Sequence, residues 1–129
     1  MGFLDNLRNS QKNNLHPNWK SLESEKQLKE IIDGSFERPV MLFKHSTTCG
    51  ISAGAKNRLE TNWDVNPENM DFFYLDLLSN RSISNLIAEK LNVIHQSPQI
   101  ILIKDGKAVF NTSHHAINSQ AVHDALAKV

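Results

Sequence analysis

Pro39-Val40-Met41-Leu42-Phe43-Lys44 leads straight into His45-Ser46-Thr47-Thr48-Cys49-Gly50-Ile51-Ser52, and the reading of this handover decides the fold. Its first half is a short, mostly apolar run, the pattern of a strand buried in a parallel sheet. Ser46 to Gly50 is rich in the small polar residues that favour loops and helix N-caps. From Ile51 to Trp63 the pattern turns helical, with Ile51, Ala55 and Leu59 spaced by four. Cys49 is therefore expected where a strand hands over to a helix N-terminus.

Working outward, Ser21 to Ile32 reads as a helix with Ser24 as a cap, Gln27 three residues on, and Leu28, Ile31 and Ile32 in one stripe. Gly34-Ser35 ends it. Upstream, His16-Pro17-Asn18 is a break, so residues 1–18 read as an N-terminal appendage and 19–129 as the domain. Downstream, Met70 to Leu78 is a second apolar strand, and Ser82 or Ser84 opens a helix carrying Ile83, Leu86, Ile87 and Leu91. Ser97-Pro98 then precedes a third strand, Gln99 to Ile103. Asp105-Gly106 is a two-residue hairpin signal leading into an antiparallel fourth, Ala108 to Phe110. Asn118 to Lys128 closes the chain as a helix. The order α-β-α-β-α-β-β-α defines an α/β protein of thioredoxin-like arrangement, with a mixed central sheet of about four strands flanked by helices.

The bulk numbers narrow the function classes. A chain of 129 residues suits one α/β domain, and 14 basic residues balance 14 acidic ones, so no global field recommends nucleic acid or an anionic membrane as partner. The start of the chain lacks a secretory-type apolar run, and no segment approaches the roughly 20 apolar residues of a membrane span; a cytoplasmic protein is expected. The sequence contains 1 cysteine, which forbids an internal disulfide, a CxxC dithiol or a multi-cysteine metal site. Whatever Cys49 does in redox chemistry, its sulfur partner comes from another molecule. Six histidines raise the question of a metal, but His114-His115 would point oppositely on a strand, with no carboxylate or cysteine at ligand spacing, so none is assigned.

The attacking species in thiol exchange is the thiolate, and a helix N-terminus favours the anion through its unpaired N–H groups and positive dipole end. Lys44 and Lys56 would add positive potential. Cys49 is accordingly expected to be partly exposed, with a lowered pKa. Cys49-Gly50-Ile51-Ser52 has the spacing of a redox CxxC with serine in place of the second thiol. Serine can tune Cys49 by hydrogen bonding but cannot resolve a mixed disulfide.

The run Phe43 to Ser52 resembles the active-site segment of the monothiol bacilliredoxins. Trp19-Lys20 with Ser24-Glu25-Lys26-Gln27-Leu28 resembles their opening helix, His95-Gln96-Ser97-Pro98-Gln99 their proline loop, and Ser113-His114 with Ile117 their last strand-to-helix corner. The similarity covers about residues 19–129. It implies Cys49 as the catalytic thiol, with substrate contacts from Lys44, Thr47, Thr48, Gly50, Ile51, Ser52, Ser97, Pro98 and Gln99. It also implies a cis Ser97–Pro98 bond beside the cysteine. The implied activity is removal of bacillithiol from protein mixed disulfides in the cytoplasm of bacteria that use this thiol, or bacillithiolation of Cys49 as a sensor. Bacillithiol would be co-substrate, bacillithiolated proteins the clients, and no cofactor tightly bound. A second class is an iron–sulfur carrier, because the motif differs by one apolar residue from the CGFS of monothiol glutaredoxins. The glycine pair those proteins use near the end of the sheet is missing here, where Asp105-Gly106 is a hairpin turn.

Overall fold

Val40–His45 (β2) is buried at every position, the consequence of lying in the middle of a sheet covered on both faces. A computed structural model of the chain describes residues 19–46, 50–60 and 70–128, without the side chains of Ile51 and Ser52. The appendage and the expected helical extension to Trp63 lie outside the described residues. The elements run β1 (Lys20–Ser21), α1 (Glu25–Gly34), β2, α2 (Gly50–Glu60), β3 (Asp71–Asp76), α3 (Arg81–Leu91), β4 (Gln99–Lys104), β5 (Lys107–Ser113), a 3-10 turn (His114–Ala116) and α4 (Ser119–Leu126).

The sheet order is β1-β3-β2-β4-β5, with β1, β3 and β2 parallel and β4 and β5 antiparallel to their neighbours. The thioredoxin-like arrangement is thus present, with one strand more than the four read from the sequence. The extra strand replaces the first turn of the expected opening helix. Lys20 and Ser21 pair with Phe73 and Tyr74, and Leu22 N–H donates to the Tyr74 carbonyl at 2.8 Å. The helix starts only at Glu25. Ser24 caps it as expected, its Oγ accepting from Gln27 N–H at 3.1 Å, while Gln27 Nε2 donates to Ser21 O at 2.8 Å and so ties cap to strand.

Period-2 alternation divides the sheet's side chains between two cores. Val40 and Leu42 of β2, with Ile101 and Ile103 of β4, face Leu28 and Ile31 of α1 and Ile83, Ile87 and Leu91 of α3. Met41 and Phe43, with Ile100 and Leu102, face Ala55 and Leu59 of α2 and Val122 and Ala125 of α4. Trp19 belongs to this second face, its ring 5.6 Å from that of Phe43.

The hairpin forms where Asp-Gly predicts it. Asp105 (φ 54°) and Gly106 (φ 77°) are both left-handed, the signature of a type I′ turn. One register shift follows: Ile103 pairs with Ala108 but Leu102 with Phe110, leaving Val109 as a bulge. The extra residue sends Ala108 to the first core and Phe110 to the second, although they are two apart.

Candidate active site

β2 and β4 lie side by side and antiparallel, with Lys44 opposite Gln99. The chain that leaves β2 through Ser46 therefore departs from the same sheet edge at which Ser97 and Pro98 enter β4. The Ser97–Pro98 bond is cis. At that edge α2 begins at Gly50, an exposed residue, with Ile51 and Ser52 in its first turn. Cys49, Thr47 and Thr48 lie outside the described residues.

The proline loop is assembled from α3 onward. Asn92 (φ 53°) closes α3 in the left-handed conformation that asparagine tolerates, and Val93 returns into the first core. Ile94 is then 83 % exposed, His95 and Ser97 are half-buried, and Pro98 and Gln99 are buried. Gln99 braces the loop from beneath: its Nε2 donates to Ile94 O at 3.0 Å, and its Oε1 accepts from Gln96 N–H at 3.4 Å. Both ends of a buried amide are thereby satisfied within the loop it carries.

The last strand-to-helix corner is bound to the same loop. His114 N–H donates to Pro98 O at 3.1 Å. Arg58, from the last turn of α2, donates to His114 O at 2.7 Å and to Ile117 O at 3.2 Å. The helix that starts beside Cys49 in sequence, the corner and the proline loop thus form one hydrogen-bonded unit. Sequence reasoning did not single out Arg58, because its partners lie 56 and 59 residues away.

Lys44 takes an unexpected position among the site residues. It falls on the Val40 and Leu42 face of β2, with 0 % of the residue exposed. Its Nζ lies 3.3 Å from His95 Nδ1, and Ser84 Oγ of α3 lies 3.2 Å from the same atom. Burial lowers the Lys44 pKa to about 8. His95 is held below the usual histidine range, first by burial and then by the charges of Lys44 and Arg81. Lys44 and Gln99, both proposed from the sequence as substrate contacts, thus reach the proline loop from within the protein. Lys44 meets His95, and Gln99 meets Ile94 and Gln96. Among the described residues no group of three or more His, Cys, Asp or Glu could hold a metal ion, and no helix is long and apolar enough to cross a membrane.

A three-layer sheet-and-helix fold, with a cis-proline loop beside the end of the central strand, defines a thioredoxin-fold protein. The family model for the monothiol bacilliredoxin BrxC matches residues 20–122, and the chain belongs to that family. Among solved structures, a proposed oxidoreductase with a thioredoxin fold is 34% identical, with a TM-score of 0.71 over 83% of this chain and 92% of that one. Thioredoxin from Trypanosoma brucei brucei is 18% identical, with a TM-score of 0.66 over 88% and 92% of the two chains. Thioredoxin from Fasciola hepatica is 20% identical, with a TM-score of 0.63 over 84% and 97%. These two similarities concern the fold alone.

Proposed function

We propose that the protein is a monothiol thiol–disulfide oxidoreductase that removes bacillithiol from protein mixed disulfides through Cys49, with residues 19–129 as the functional domain. The observation that carries this reading is the presence of a single cysteine, in the segment leaving β2, within a chain of the monothiol bacilliredoxin family. A lone thiol cannot form a disulfide within its own chain, so exchange must pass through a mixed disulfide with an outside thiol. The Cys49 thiolate attacks the bacillithiol sulfur of the client disulfide. The client thiolate leaves and takes a proton, and Cys49 carries the bacillithiol. A second bacillithiol thiolate then attacks that sulfur, releasing bacillithiol disulfide and the Cys49 thiolate. The half-exposed loop around Ser97 and the exposed Ile94 offer backbone and apolar surface to the client.

Mass spectrometry after exposure to a bacillithiol mixed disulfide tests this. One bacillithiol adduct on Cys49, removed by free bacillithiol, is expected. Cys49→Ala should form none and show no exchange, while Ser52→Ala keeps substantial activity because serine cannot resolve the disulfide. Exchange by Cys49→Ala, or a wild-type protein that never acquires the adduct, would refute the reading.

A further inference from the structure

Among the described residues β5 is hydrogen-bonded to β4 on one side only, so its other edge borders the sheet. The Val109 bulge interrupts that edge, which therefore offers side chains rather than a regular row of backbone groups. Alongside it runs α4, with Ala121, Asp124 and Ala125 on one side and Lys128 in the turn that closes it. Strand and helix enclose an open groove of about 630 Å³, lined by these four residues together with Val109 and Phe110. Its floor is apolar, since Phe110 and Ala125 belong to the second core, and Val109 on its rim is 45 % exposed. Asp124 and Lys128 are both exposed, and neither makes an ion pair among the described residues. Gln120 Nε2 donates to Asp124 Oδ1 at 2.8 Å and so holds the carboxylate in place. An apolar floor bordered by one negative and one positive charge, a helical turn apart, is complementary to itself. Turned over by a two-fold axis normal to the sheet, α4 meets its own copy antiparallel, and each Asp124 falls opposite the other copy's Lys128. A strongly acidic or basic partner would be repelled by one of the two charges. Two copies of this chain would not, because 14 basic and 14 acidic residues leave no net charge between them.

We propose that the groove between β5 and α4 is the contact surface for a second copy of this chain, giving a weak isologous dimer. The two grooves face each other, the two Val109 side chains fill the space between them, and two Asp124–Lys128 pairs close the rim. The patch is small, which places the dimer in the weak, concentration-dependent class. Val109 lies toward the hairpin end of β5, between the residues paired with Leu102 and Ile103, whereas Ser113 at the other end is opposite Gln99. The dimer therefore leaves the proline loop of each copy free, and the inference stands independently of the exchange reading.

Sedimentation equilibrium of the full chain under reducing conditions, from micromolar to millimolar protein, tests it. A monomer–dimer equilibrium is expected, with a Kd that rises with added salt. Val109→Asp, which puts two like charges into the shared space, should leave the chain monomeric over the whole range. Asp124→Lys turns both rim attractions into repulsions and should raise Kd about tenfold. Adding Lys128→Asp to that variant restores the pairing in reverse and should bring Kd back to near the wild-type value. Circular dichroism melts of the three variants check that each remains folded, as expected for substitutions at exposed positions. A wild-type chain that stays monomeric throughout would overturn the proposal and leave the groove to a different partner. A dimer indifferent to Val109→Asp, or a double charge variant no tighter than Asp124→Lys alone, would equally overturn it by placing the contact elsewhere.

Discussion

Lys44 holds its charge where water cannot reach it, and the cost has a definite pH signature. In the unfolded chain this lysine keeps its proton up to about 10.5, but in the folded protein only up to about 8. Between those values the unfolded state binds more protons, so stability must rise with pH across this window and be lost as pH falls through it. The full swing is on the order of 3 kcal/mol. Denaturant unfolding of the wild type and Lys44→Met from pH 7 to 10.5 should show the difference. The variant is expected to be the more stable at pH 7, with the gap closing as pH rises; parallel curves would contradict the buried-ammonium account. His95 acts in the same sense at lower pH, since its lowered pKa means that the unfolded chain takes the proton first as pH falls below the usual histidine range.

At the scale of elements, the β4–β5 hairpin shows how one local device organises its surroundings. Its turn is seated on the end of α1: Asp105 N–H donates to Ser35 O at 2.9 Å, and Gly106 N–H to Ser35 Oγ at 2.8 Å. Gly106 is left-handed, and a Cβ there would come within 2.9 Å of Phe36 Cζ. Gly106→Ala should therefore suffer chiefly from backbone conformation, since the exposed Phe36 ring can swing aside, and lose about 1–2 kcal/mol. The denaturation midpoint should fall while the exchange activity of the folded fraction survives, because the turn lies at the opposite end of β4 from Pro98. An unchanged midpoint would mean that the turn relaxes into another type. The Val109 bulge next to it places Ala108 against one core and Phe110 against the other, both half-buried, while Val109 itself stays exposed.

For the molecule as a whole, one sheet separates two cores, and β2 contributes to both. Met41 and Leu42 are neighbours in sequence, yet one packs against α2 and α4 and the other against α1 and α3. Because the same strand backs both layers, neither layer should unfold alone. Met41→Ala and Leu42→Ala are each expected to cost about 2–5 kcal/mol. Each should shift a single transition, with coincident circular dichroism and fluorescence curves. A plateau, or separated curves for either variant, would show that the layers are independent.

The succession of strands and helices was determined by the sequence alone, because its signals act between near neighbours. Ser24 caps through Gln27, Asp105-Gly106 makes its turn, and Leu28 and Ile31 mark the inward stripe of α1, all within a few residues. The strand-to-helix handover that encloses Cys49 was legible for the same reason. The tertiary structure alone decided the rest. Lys20–Ser21 became a fifth strand because Phe73 and Tyr74, more than 50 residues on, offered a free edge, and a two-residue strand has no periodicity to announce it. The Val109 register shift followed from pairing with β4, which no alternation within β5 encodes. The junction of Lys44, Ser84 and His95, whose lysine and histidine are 51 residues apart, exists only where β2, α3 and the proline loop converge. Alternation along β2 assigns Lys44 to a face, but it takes the packed fold to say that the face ends on an imidazole.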